Sequence, residues 1–297
     1  MDPNAFELHR WEEIAYVREG VGGFPLLLLH GWPETRRIWW RNIGPLADAG
    51  FEVIAPDLRG YGDSGLGEEY DVAVQSRDMA GLLAELGHER CAAAGGDFGG
   101  VVAQDLSLRF EGLVERMILF NTIPPVLPES PRELPREARM ATDYFLRQGT
   151  DADGLTAELD TLEKRRRYVS QMYGPRFWAA PGAFTPEDIE FMVEPFGDAE
   201  RFRASISIYE YATRTRQWSE PPRLREPNPT PTLILYGPED HVIPSDFPQR
   251  MELGFPERMG PFVVQGAGHF LQWERADVLN SAARWFCRDL LREFAAK

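Results

Sequence analysis

The residues Gly95-Gly96-Asp97-Phe98-Gly99 place a carboxylate between small neighbours at the end of a short apolar run. Small residues on both sides of a reactive side chain suit a sharp strand-to-helix turn, where strand and helix lie too close for larger groups. Serine is the usual nucleophile at such a turn, and an aspartate there changes the chemistry. A serine that opened an epoxide or displaced a halide would end as an inert ether. A carboxylate attacking the same sp3 carbon forms an ester, which water can cleave.

Cleaving that ester needs a general base, because the attacking water must lose a proton. Of the five histidines, His9 falls in the first expected strand, His30 ends the next apolar run and His88 lies in a polar turn, so these three read as structural. His269 stands in Gly266-Ala267-Gly268-His269-Phe270, a glycine loop after the last expected strand, and is the best base. An acid is then required to hold its tautomer and stabilise the imidazolium. Asp240, in Gly237-Pro238-Glu239-Asp240-His241, follows the preceding strand on the same sheet edge, with Glu239 and Asp246 as nearby alternatives.

The elements that would position these groups alternate along the chain. Apolar runs at 25–29, 51–55, 91–96 and 114–121 read as buried strands, 71–86 has the spacing of an amphipathic helix, and a helix is expected from 98 to about 110 after the turn. Alternation of this kind implies an α/β fold with a mostly parallel sheet. After Asn121 the pattern breaks at Pro124, Pro125, Pro128, Pro131 and Pro135, and about a hundred residues of helical character follow. A second proline cluster, Pro221 to Pro231, precedes a resumed strand at 232–237, a strand at 261–265 and a long helix at 270–294. The division is a core at 1–122, a helical cap at 123–226 and the rest of the core at 227–297.

Length and composition suit one compact enzyme-sized unit, with 297 residues, 43% hydrophobic, 8 Trp and 18 Phe. A formal net charge of -15 argues against nucleic acid or an anionic membrane as partner. The one basic run, Lys164-Arg165-Arg166-Arg167, reads as a solvated helix face. Cys91 and Cys287 sit alone in apolar settings, so neither a disulfide nor a metal site is expected, and no cofactor is implied. Without an apparent leader or a long apolar span, a cytoplasmic location is expected. Oligomeric state is left open.

Taken together, His30-Gly31-Trp32-Pro33-Glu34, Gly60-Tyr61-Gly62-Asp63-Ser64, the Asp97 turn, Asp240 and His269 resemble the α/β-hydrolase superfamily. Within it the chain is similar to the soluble epoxide hydrolases and haloalkane dehalogenases that use an aspartate nucleophile. The resemblance covers nearly the whole chain, and nucleophile, acid and histidine occur in the superfamily's order. It implies an α/β-hydrolase fold with an inserted helical cap. It also implies an oxyanion hole made by the backbone N–H groups of Trp32 and Phe98, with room for a cis Trp32-Pro33 peptide.

The two chemistries differ in what the leaving group needs. An epoxide opens to an alkoxide that wants a proton donor, whereas a halide leaves as an anion that wants N–H donors. Phe98 stands where dehalogenases usually carry tryptophan, and it cannot donate. Arginines after the aspartate, as in fluoroacetate dehalogenases, are missing at Phe98 and Val101. Epoxide hydrolases supply two cap tyrosines, and Tyr209 in Phe202-Arg203-Ala204-Ser205-Ile206-Ser207-Ile208-Tyr209 resembles the later one. The earlier one falls on Ala141, and Tyr144, one helical turn along, is the candidate replacement. Tyr168, Tyr173 and Tyr211 read as packing residues.

The expectation is opening of an epoxide to a vicinal diol through an ester on Asp97, hydrolysed by His269 with Asp240. A small hydrophobic substrate and water are the partners, with Phe177, Trp178, Phe184 and Phe191 as apolar cap residues. Haloalkane dehalogenation, with Trp178 as halide donor, is the alternative, and a non-catalytic ligand-binding homologue is the third reading.

Overall fold

The computed structural model describes residues 1–128, 142–175 and 178–296. Ala141 and Phe177, both singled out above, lie outside the described residues. Eight strands form one sheet: β1 (Leu8–Trp11), β2 (Ile14–Glu19), β3 (Phe24–Leu29), β4 (Phe51–Pro56), β5 (Cys91–Gly96), β6 (Val114–Thr122), β7 (Thr232–Tyr236) and β8 (Arg258–Val263). Their order is β1-β2-β4-β3-β5-β6-β7-β8, antiparallel from β1 to β4 and parallel from β4 to β8. Every residue of β3, β4 and β5 is buried, as expected for parallel strands covered on both faces. From β3 the chain steps outward to β4 and then returns past β3 to β5. The strand order therefore reverses at the carboxyl ends of β3 and β5, where open α/β sheets hold a crevice.

The core helices before the insertion are α1 (Ile43–Asp48), α2 (Val72–Glu85) and α3 (Asp97–Arg109). Asp71 caps α2 by accepting from the Val74 amide at 3.0 Å. Between β6 and β7 come α4 (Thr142–Thr150), α5 (Ala152–Glu158), α6 (Leu162–Ser170), α7 (Pro186–Val193), α8 (Ala199–Ser205) and α9 (Ser207–Thr213). This is where the inserted segment was expected. The core then closes with α10 (Phe247–Gly254), α11 (Leu271–Glu274), α12 (Ala276–Phe286) and α13 (Arg288–Ala295).

Three expectations need correction. The final helix is broken at Arg275 and Cys287, where the backbone leaves helical geometry, because α12 packs on α1 while α13 packs on β3 and one straight rod could not serve both. The last strand begins earlier and ends earlier than 261–265, set by its pairing with β7 from Arg258 to Val263. The basic run is not a uniformly solvated face. Arg165 is buried, and its guanidinium donates to the Gly197 carbonyl at 2.9 and 2.7 Å and to the Leu159 carbonyl at 2.8 Å. One residue of a helical run of four turns inward because successive side chains point about 100° apart.

The approach of α3 to the sheet depends on its glycines. A Cβ at Gly99 would overlap the Leu29 carbonyl oxygen of β3, and one at Gly95 would lie 2.6 Å from the Gly99 carbonyl carbon. Gly99→Ala should therefore destabilise the protein by about 1–3 kcal/mol, against the gain of roughly 0.5–1 kcal/mol that the same change brings in an ordinary helix interior. The urea midpoint of the variant checks this, and an unchanged or higher midpoint would contradict the packing described.

Candidate active site

Asp97 opens α3 directly after β5, with φ at +45°, a left-handed conformation that non-glycine residues rarely adopt. The turn lifts its carboxylate above the sheet edge and places it in the first turn of a 13-residue helix, where the macrodipole favours an anion. The Trp32 amide donates to Asp97 Oδ1 at 2.9 Å. A Cβ at Gly31 would come within 2.5 Å of that oxygen, so the loop after β3 can close on the carboxylate only because residue 31 is glycine. Phe98 follows at the second helical position, where a backbone N–H has no acceptor within the helix. The Trp32–Pro33 peptide is cis.

Asp240, after β7, and His269, after β8, meet Asp97 over the same edge. His269 Nδ1 lies 2.9 Å from Asp240 Oδ2, and Nε2 lies 3.5 Å from Asp97 Oδ2. Asp240 Oδ1 also accepts from the amides of Val242 at 2.6 Å and Ile243 at 3.1 Å. The alternative acids are not in this position. Among the described residues the ion pairs of His269 are with Asp240 and Asp97, and Asp246 pairs with Arg250 at 2.8 Å. His30 is buried at the end of β3, with Nε2 accepting from the Leu58 amide, and His88 meets Glu52.

Above Asp97 a cavity of about 220 Å³ is bounded by Phe98, Tyr144, Phe145, Tyr209, the 123–126 loop, and residues between Val242 and Arg250. Tyr144 on α4 and Tyr209 on α9 are adjacent, with ring centroids 5.9 Å apart. Tyr209 also packs edge-on against Phe98 at 5.2 Å. The other expected cap aromatics lie elsewhere. Trp178 packs behind Tyr144 and against the His269 ring, Phe184 against Phe270 and Trp273, and Phe191 against Trp40. A second cavity, of about 240 Å³, lies at Arg36, Arg37, Asp63, Glu194 and Arg201 and contains none of the three residues above.

A family model described as the alpha/beta hydrolase fold matches residues 25–276. The chain belongs to the α/β-hydrolase fold family. It is 29% identical over 289 residues to the soluble epoxide hydrolase of Corynebacterium sp. (strain C12), spanning 95% of this chain and 94% of that one. It is 27% identical to epoxide hydrolase A of Mycobacterium tuberculosis, spanning 93% and 94%. Among solved structures, epoxide hydrolase CorEH superposes with a TM-score of 0.83 at 24% identity, over 96% of this chain and 99% of that one.

The electrostatics of this α/β-hydrolase site centre on buried carboxyl groups. Burial alone would lower the His269 pKa, but the carboxylates of Asp240 and Asp97 on its two nitrogens outweigh it and hold the imidazole well above its ordinary value. Burial, reinforced by neighbouring charge including Asp97, raises Tyr144 and Tyr209 well above the usual phenol range, so both hydroxyls keep their protons. Among the described residues no helix is long and apolar enough to cross a membrane.

Four further residues shape the site and were not singled out as site groups from sequence. Asn121, with φ at +39°, donates to Asp240 Oδ2 at 2.7 Å and to the Gly268 carbonyl at 3.0 Å, and it accepts from the Gly237 amide at 2.8 Å. A polar residue ending the apolar strand β6 was the available signal. Glu34, the last residue of the His30 motif, is buried. It accepts from the Gly31 amide at 2.6 Å and from Gln272 Nε2 at 2.8 Å. Burial pushes its carboxyl up to about 7. Glu274 accepts from amides beside His269, and burial likewise pushes it up to about 7.

The raised Glu34 makes stability depend on pH in a defined direction. Between its ordinary value of 4.5 and about 7 the folded chain holds a proton that the unfolded chain has lost. The contribution is greatest at low pH and is lost as pH rises through 7, amounting to about 3 kcal/mol in full. Glu34→Gln removes this titration. The variant's Tm relative to wild type should rise by several degrees between pH 5 and pH 8, and a constant difference would show that Glu34 keeps an ordinary pKa.

Proposed function

We propose that this protein hydrolyses epoxides to vicinal diols through a covalent ester on Asp97. The observation that carries the reading is the arrangement across the cavity, where Asp97 shares the lining with two protonated phenols, the buried Tyr209 and the partly buried Tyr144, and has His269 beside it. The epoxide hydrolases among the relatives support it.

In the first step Asp97 attacks an epoxide carbon from the side opposite the ring oxygen. The C–O bond breaks, and Tyr209 with Tyr144 donates to the developing alkoxide. At this stage His269 is protonated and serves only as a positive neighbour. Esterification makes Asp97 neutral and removes one of the two negative charges that hold the imidazole pKa high. The ring can then pass its proton to the phenolate left by the donating tyrosine, which restores the phenol, and act as base. It takes a proton from water attacking the ester carbonyl, Asp240 stabilises the imidazolium, and the amides of Trp32 and Phe98 receive the oxyanion. Collapse then breaks the ester C–O bond, and the departing alkoxide takes the proton of the new Asp97 carboxyl to leave as the diol.

The donor set favours ring opening over halide displacement. Phe98 carries no N–H on its side chain, the Trp32 indole is committed to Ser205 Oγ at 3.3 Å, and Trp178 does not line the cavity. The lining is mainly apolar and aromatic, which suits a small hydrophobic epoxide.

The decisive experiment is intact-mass analysis of His269→Asn after exposure to a panel of epoxides and haloalkanes. The expected result is a stable adduct equal to one whole epoxide, and diol production should vanish in Asp97→Ala. An adduct equal to a haloalkane less hydrogen halide would overturn the reading, as would wild-type diol output from Asp97→Ala. Tyr209→Phe and Tyr144→Phe should each slow ester formation at least tenfold, with a larger loss in the double variant, because a positioned acid contributes about 10²–10⁴ in rate. Single-turnover measurements would separate this from ester hydrolysis, which should change little.

A further inference from the structure

The loop that presents His269 is built from residues that do not stiffen it. Gly266 and Gly268 flank Ala267, and Gly266 has φ at +73°. The imidazole itself is held by Asp240 on one nitrogen and by ring packing against Trp178 at 4.9 Å. A base must stay within about 0.5 Å of its working position, so some other contact has to fix this backbone.

Glu274, at the end of α11, makes that contact. Its carboxylate accepts from the amide of Gly268, from the amide of Phe270 at 3.3 Å and from the amide of Ala180 at 3.3 Å. The first two are the amides on either side of His269, and the third belongs to the segment between α6 and α7. The same seam is closed by the His269 amide, which donates to the Trp178 carbonyl at 2.9 Å. The approach is tight enough that a Cβ at Gly268 would come within 2.6 Å of both the Ala180 nitrogen and the Trp178 oxygen. Glu274 forms no ion pair among the described residues, and its carboxyl oxygens are satisfied by these backbone donors. Such a group acts by fixing where the backbone goes.

We infer that Glu274 is a positioning residue for the base: it locks the His269 loop to the cap backbone at Ala180 and so holds the imidazole against Asp97. The role rests on the ester chemistry proposed above. It belongs to the second half of the reaction, because attack by Asp97 on the epoxide does not need His269 as a base. Removing Glu274 should then affect the two steps unequally, whereas a contribution to stability alone would lower Tm without changing their ratio.

The test is rapid-quench intact-mass analysis of wild type, Glu274→Ala, Glu274→Gln and His269→Asn with one epoxide that wild type turns over. In Glu274→Ala the ester should form at close to the wild-type rate and hydrolyse at least tenfold more slowly, so that it accumulates. Glu274→Gln keeps the volume and one acceptor oxygen and should show the same split at a few-fold, which preserves the test if the alanine variant does not fold. Equal slowing of both steps, or wild-type hydrolysis in both variants while His269→Asn still traps the ester, would overturn the positioning role alone. Absence of an ester in His269→Asn would overturn the Asp97 chemistry, and the role of Glu274 would fall with it.

Discussion

Buried carboxyl groups gathered around one imidazole are the constraint on which the rest of this structure depends. Asp97, Asp240, Glu34 and Glu274 all act on or near His269, and taking such groups out of water is costly unless each is hydrogen-bonded. The protein meets that cost mainly with backbone amides. Trp32 serves Asp97, Gly31 serves Glu34, Val242 and Ile243 serve Asp240, and Gly268, Phe270 and Ala180 serve Glu274. Backbone donors cannot swing away as a lysine or arginine side chain can. A site held in this way is fixed by its backbone, and within it burial pushes the carboxyls of Glu34 and Glu274 up to about 7.

Those amides are available only because tight loops leave the sheet at one edge. Reversal of strand order at β3 and β5 opens the crevice, and the glycines at 95 and 99 let α3 come close enough to raise Asp97 into it. Gly31 admits the Trp32 loop from the other side. The helical insertion then supplies what the sheet edge lacks, namely two phenols that share the cavity lining with the carboxylate and a backbone segment at 178–180 that seals against the histidine loop. In the proposed reaction the loss of one negative charge at Asp97 is what turns His269 from an imidazolium into a base. The chemistry and the charge balance of the cluster are therefore the same problem.

Much of this was legible in the chain itself. The uninterrupted apolar runs of β3, β4 and β5 announce strands buried on both faces, and the Gly95 to Gly99 motif announces a turn that only small residues permit. Asp97, Asp240 and His269 could be named because each follows a strand, and in a parallel sheet all such positions come out on one edge. Tyr209 and Tyr144 could be named only through the resemblance to epoxide hydrolases, which carry two cap tyrosines. Gln272 and Glu274 could not, and Asn121 offered only its polarity at the end of an apolar strand, since their importance lies in groups brought near from distant parts of the chain. The same holds for Arg165, whose burial depends on carbonyls at Gly197 and Leu159, and for the breaks at Arg275 and Cys287, which follow from two different packing surfaces.

The sequence by itself determined that a carboxylate stands in the strand-to-helix turn, the order of strand and helix and the edge of the sheet where such side chains collect, because periodicity, small-residue spacing and residue chemistry are local properties. Only the tertiary structure decided which carboxyl pairs with His269, which cap aromatics face the cavity and which pack away from it, and which side chains hold the catalytic loops. These depend on distances between segments far apart in sequence, where an ångström separates a hydrogen bond from a mere neighbour.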